Sequence, residues 1–105
     1  MTKPRDYFTG KQEEFKRSEV QIAPYNPRKI SPQQKATLKR SIRKYGVVGG
    51  ITVNKQTMTI VGGNQKVTIV DEIMGYPEKD YTLLAEAVNM DYKTEVELTF
   101  MLNSE

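Results

Sequence analysis

Residues 58–75 read Met58-Thr59-Ile60-Val61-Gly62-Gly63-Asn64-Gln65-Lys66-Val67-Thr68-Ile69-Val70-Asp71-Glu72-Ile73-Met74-Gly75, and their order decides the fold. The first four residues alternate well enough for a short strand. Two glycines follow, and then a helical pattern with Val67, Val70, Ile73 and Met74 turned inward and Gly75 as its stop. Strand, glycine turn and helix in that order have a physical use. Glycines permit a tight turn and a close approach of backbone to a ligand. The first turn of the helix then offers N–H groups without intrahelical partners and a partial positive charge, both of which suit a phosphate. Lys66 adds a full charge in that turn, where a residue serving helix stability alone is more often acidic. Gly62, Gly63, Asn64, Gln65 and Lys66 are therefore a candidate phosphate loop. The plainer reading of the same residues is a turn and nothing more.

Upstream, Ile51-Thr52-Val53 predicts a second short strand, joined to the first by a hairpin at Asn54-Lys55-Gln56-Thr57. Ser31-Pro32-Gln33-Gln34 predicts a helix start, with an N-cap serine, proline at the first helical position and a capping-box glutamine. Leu38, Ile42 and Tyr45 recur at i, i+4, i+7 as its expected buried stripe, and Gly46 ends it. The helix over 32–45 also carries Lys35, Lys39, Arg40, Arg43 and Lys44 with no acid among them, a candidate nucleic-acid contact. Before it, the two prolines of Pro24-Tyr25-Asn26-Pro27-Arg28-Lys29 enforce a loop and stiffen the backbone that presents Arg28. Glu19-Val20-Gln21-Ile22 alternates as a strand does. Residues 1–18 read as a polar arm with a helical turn or two after Thr9, and 19–105 as the domain.

Downstream, Leu83 to Val88 is apolar enough for another strand. Thr94-Glu95-Val96-Glu97 has capping-box spacing and opens a last helix through Leu98, Phe100, Met101 and Leu102. The expected architecture is α+β, a small mixed sheet flanked by helices. Asp71, Glu72, Glu86 and Glu95 show no spacing suited to a metal pair and read as solvated.

Charge is divided unevenly along the 105 residues. Positions 1–45 hold 12 Lys and Arg against 4 Asp and Glu, and positions 46–105 hold 4 against 9. That split suggests a basic face that meets a polyanion. The chain has no cysteine and no histidine. Disulfides, thiolate zinc sites and His-dependent triads are excluded, leaving oxygen-bound hard cations such as Mg2+ as the metals to consider. No apolar run approaches the roughly 20 residues of a membrane span, and a cytoplasmic protein is the expectation.

In combination these motifs are more specific. The order of short strand, Asn26-Pro27-Arg28-Lys29, helix, Tyr45-Gly46-Val47, Ile51-Thr52-Val53 and Ile60-Val61-Gly62-Gly63-Asn64-Gln65-Lys66 resembles the ParB N-terminal family, the ParB/sulfiredoxin group. The resemblance covers roughly residues 19–103. It implies that Arg28 matches the arginine of the family's first motif, and that Gly63 and Lys66 match the glycine and final basic residue of the second. It implies also that Asn103 matches an asparagine that assists nucleotide and metal handling. Sulfiredoxins need a cysteine after the second glycine, and Asn64 stands there, which excludes that activity. ParB clamps usually carry Glu-Arg-Arg where this chain has Asn64-Gln65-Lys66, and the acid expected before Asn103 is Leu102.

The expectation is a module binding nucleic acid, DNA before RNA, or a nucleoside triphosphate with Mg2+, in a phage or plasmid DNA-processing system. A nuclease or nucleotidase activity finds no visible catalytic acid. The alternative is a degenerate adaptor with a vestigial phosphate loop, acting through protein partners or a second copy of itself.

Overall fold

The computed structural model describes residues 10–25 and 29–103. Its elements run β1 (Lys11–Lys16), a 3-10 turn (Arg17–Glu19), β2 (Gln21–Ile22), α1 (Pro32–Tyr45), β3 (Thr52–Asn54), β4 (Thr59–Gly62), α2 (Asn64–Met74), β5 (Thr82–Val88) and α3 (Tyr92–Asn103). The described strands form one mixed sheet in the order β1-β5-β3-β4-β2. β1 runs antiparallel to β5, β3 parallel to β5, β4 antiparallel to β3, and β2 parallel to β4. The architecture is α+β, as the sequence predicts.

Alternation along the strands divides the sheet into two faces. Phe15, Leu83, Ala85, Ala87, Val53 and Ile60 fall on one, where they join Val67 of α2 in the main core. α3 lies close to β4, and its Glu95 meets Asn54, on the opposite face from Val53. α1 packs on α2 rather than on the sheet.

Local chemistry sets the helix ends. Ser31 Oγ accepts from Gln34 N at 3.1 Å, and the Gln34 side chain accepts from Ser31 N at 2.8 Å, the reciprocal cap expected from the sequence. Gly46 has φ +80 and Gly75 φ +83, so both helices stop at residues in the left-handed region.

Several expectations are corrected. Residues 11–16 are a strand, not a polar arm with helical turns; Phe15, buried at 6% exposure, is the apolar residue that ties it down. The strand expected over 19–22 is reduced to Gln21–Ile22, with a 3-10 turn before it. In α1 no residue is buried: Leu38 and Ile42 are half-buried and Tyr45 is 66% exposed, because among the described elements α1 packs chiefly on α2. In α2 the buried apolar residues are Val67 and Ile69, while Met74, expected inward, is exposed. α3 begins at Tyr92, and Asp91 rather than Thr94 caps it, its side chain accepting from Thr94 N at 2.8 Å.

Two acids expected in solvent are instead buried or partly buried and bonded. Arg17, 8% exposed, donates through Nε to Asp71 at 2.9 Å and through Nη2 at 3.0 Å, and through Nη1 to the Val20 carbonyl at 2.9 Å. Its guanidinium lies 4.3 Å from the centre of the Tyr76 ring, and Tyr81 donates to Asp71 at 2.6 Å. Burial alone would lower the Arg17 pKa, but the Asp71 carboxylate outweighs it and the value is raised. Burial and the bond to Asp71 likewise hold Tyr81 in its neutral form well beyond the ordinary range. This cluster fastens the start of the sheet to the end of α2. Glu95, 1% exposed, is the second corrected acid.

Candidate anion-binding cleft

β4 ends at Gly62, and the chain turns into α2 through Gly63 at φ +83 and ψ +21. A side chain at Gly63 would stand 3.1 Å from the Gly50 carbonyl oxygen and 3.1 Å from Ile51 Cγ1. Left-handed geometry and crowding therefore both demand glycine there. At Gly62 a Cβ would stand 3.2 Å from Leu102 Cδ1, so a larger residue there would require the Leu102 side chain to give way. Gly63 is the N-cap of α2 and has no side chain to satisfy the first turn, which contains no acid.

This turn forms one wall of a cleft of about 1000 Å³. Gly62, Gly63, Gln65 and Lys66 line it from one side and α1 from the other. The α1 side chains that face it are neutral: Ser31, Gln33, Gln34, Thr37 and Ser41, with Leu38 among them. Gly49 and Gly50 close a third side, and Leu102 of α3 reaches in beneath. Among the described lining residues Lys66 is the charged one, and none is acidic. Lys66 Nζ lies against the Gly46–Gly50 segment, so close that a Cβ on Gly49 would be 2.6 Å from it. The cleft thus presents a helix start, a cation and a wall of amides and hydroxyls, which is chemistry for a phosphorylated polar ligand.

The candidate residues separate into three groups. Gly62, Gly63, Gln65 and Lys66 are together at the cleft. Asn64 sits in the same turn but is 1% exposed and turned toward β2, accepting the Ala23 N–H at 3.1 Å. Arg28 lies outside the described residues, and Asn103 is the last residue of α3. Lys35, Lys39, Arg40, Arg43 and Lys44 are on α1 but none lines the cleft. Lys35 pairs with Glu72 of α2 at 3.2 Å, so an acid from the neighbouring helix does meet the basic face.

Sequence reasoning missed the polar face of α1. Ser31, Gln34, Thr37 and Ser41 recur at helical spacing, a signal as regular as the apolar one. It missed also the network around Glu95. That carboxylate accepts from the Tyr25 hydroxyl, the Thr57 hydroxyl and Asn54 Nδ2, the last at 2.8 Å. Burial would raise its pKa, but the three donors outweigh burial and lower it. Tyr25 is packed between Tyr92 and Phe100 of α3, with ring centres 6.0 and 6.5 Å away. Tyr25 is thereby tied to α3, and Ala23, through Asn64, to the glycine turn. Among the described residues no group of three or more Asp and Glu side chains is placed to hold a metal ion, and no helix is long and apolar enough to cross a membrane.

No protein-family model matches the sequence, and no curated protein does. Solved structures do. The chain is similar to the C-terminally truncated chromosome-partitioning protein ParB from Caulobacter crescentus complexed with CTP-γ-S, with a TM-score of 0.68 and 22% identity over 90% of this chain and 53% of that one. It is similar also to a Pnob8-like ParB-N domain, with a TM-score of 0.63 and 15% identity over 90% of this chain and 38% of that one. The chain spans about half or less of the length of these structures. The fold is that of the ParB N-domain proteins.

Proposed function

We propose that this chain is a nucleotide-binding module of a DNA-processing system, phage or plasmid, whose cleft takes a nucleoside triphosphate, cytidine triphosphate foremost. One observation carries the reading: the glycine turn, the start of α2 and Lys66 converge on a cleft of about 1000 Å³ whose facing wall is neutral and hydrogen-bonding. The Caulobacter neighbour's complex with CTP-γ-S supports the choice of nucleotide. The phosphates lie on the Gly62–Lys66 turn, with Arg28 and Asn103 as further contacts. Mg2+, where it takes part, enters on the phosphates, because the described lining supplies no carboxylate. DNA meets the basic side of α1 at Lys39, Arg40, Arg43 and Lys44. A thermal-shift screen of the four ribonucleoside triphosphates, with and without Mg2+, tests this directly. A ligand at 100 times its Kd adds about 2.7 kcal/mol of stability, and no shift with any of the four defeats the reading.

A second reading, the protein-interaction adaptor, is favoured by one observation. Tyr92, Phe100, Met101 and Leu102 of α3 are 62, 45, 75 and 48% exposed, an apolar surface of the kind that partners cover. Retention on heparin at moderate salt separates the two, since the adaptor passes through.

A further inference from the structure

Apart from the cleft, the molecule has a second concavity, a groove of about 480 Å³ lined by β5, α2 and the segment between α1 and β3. Ile51, Val67 and Leu83 of the main core reach it. Val47, Met74 and Leu84 stand around them at 39, 46 and 61% exposure. Among the described residues no charged side chain lines the groove. It is an apolar gap on the flank of the core, and whatever covers it gains the apolar surface it removes from water.

The sequence supplies an occupant. Residues 1–9, outside the described residues, are mostly polar but carry two adjacent aromatics, Tyr7 and Phe8. Gly10 joins them to β1, and Gln12 of β1 is itself part of the groove lining. Phe8 precedes Gln12 by four residues, so its Cα lies within about 14 Å of that of Gln12 even at full extension. We propose that Tyr7 and Phe8 dock in this groove and close the core from outside. Aromatic rings gain more from such cover than other side chains do. A tether of a few residues holds them at an effective concentration on the order of millimolar, which a second copy or a separate partner must exceed. Gly50 lines the groove and the cleft alike, so the docked segment backs the strip of chain that closes the cleft's third side, whatever the cleft binds.

The test is NMR on the full chain, with labelled Val, Leu and Met methyl groups and protonated Tyr and Phe rings. The expected result is a set of nuclear Overhauser contacts from the Tyr7 and Phe8 rings to the methyl groups of Val47, Met74 and Leu84. A variant carrying Tyr7→Ser and Phe8→Ser should shift those three sets of methyl signals and leave that of Met101, on α3, in place. Both changes precede the first described strand. If the variant does not fold, the wild-type contacts decide alone. Absence of the contacts, with the methyl signals alike in the two proteins, overturns the inference. Contacts seen only between differently labelled copies, with a dimer by light scattering, overturn it too and assign the groove to a second copy.

Discussion

The hydroxyl of Tyr25 donates to the buried carboxylate of Glu95, joining the loop after β2 to the first turn of α3 across 70 residues of sequence. Burial, together with the bond to Glu95, pushes the Tyr25 pKa up to about 12. Both partners are therefore held in one protonation state by the fold, and stability must follow pH.

The sign differs at the two ends of the scale. Tyr25 is raised, so its contribution is whole below the ordinary tyrosine value and is lost as pH rises from about 10 toward about 12. Tyr81 is raised too and falls in the same direction. Glu95 is lowered, so its contribution is present above the ordinary carboxylate value and disappears as pH falls through its lower folded value. Thermal melts across pH should show both limbs. Tyr25→Phe should shorten the alkaline limb without abolishing it, and cost about 1.5–3 kcal/mol at neutral pH through the lost charge-assisted bond. An unchanged alkaline limb in Tyr25→Phe would contradict the assignment.

Lys66→Ala should weaken triphosphate binding about tenfold to a hundredfold, the loss of one charge-assisted contact. Arg40→Ala, on α1 but outside the cleft lining, should leave the mononucleotide Kd nearly unchanged. Calorimetry on the two variants makes the comparison, and equal losses would remove Lys66 from the site.

Changing Lys39, Arg40 and Arg43 together to Glu should abolish non-specific DNA binding in a gel-shift titration while nucleotide binding persists. The wild type should lose DNA affinity steeply with salt, since each neutralised phosphate releases counterions. Lys35→Glu should matter less to DNA than any of the three, because Lys35 is already paired with Glu72.

Gly63→Ala places a Cβ at φ +83, 3.1 Å from the Gly50 carbonyl oxygen. The expected cost is about 1–3 kcal/mol of backbone strain, read as a lower denaturant midpoint with an unchanged slope. A variant as stable as the wild type would show that the turn relaxes freely and is not a fixed cradle.

What was legible in the sequence was the part written in local chemistry. α1 and α2 fall where the Ser31 cap, Gly46 and the Gly62-Gly63 turn and Gly75 put them, because capping and left-handed residues act within a few positions. The glycine turn was legible too, and Gly62, Gly63, Gln65 and Lys66 come together on one cleft. β1 was not, since Lys11-Gln12-Glu13-Glu14-Phe15-Lys16 is an edge strand with one buried apolar residue, and its pairing with β5 is long-range. The burial of Asp71 and Glu95 was illegible for the same reason: Arg17 is 54 residues from Asp71, and Asn54 is 41 from Glu95. A carboxylate looks solvated until the fold brings its donors to it.

α1 contributes a wall of the cleft yet buries none of its own residues. A helix with no buried side chain has little apolar area to lose when it lifts away, so it should rank among the less protected cooperative units of the molecule. Its backbone amides should exchange with deuterium well before those of β4, where Thr59, Ile60, Val61 and Gly62 are all buried. A ligand that bridges α1 and the glycine turn should then register first as slowed exchange along residues 32–45.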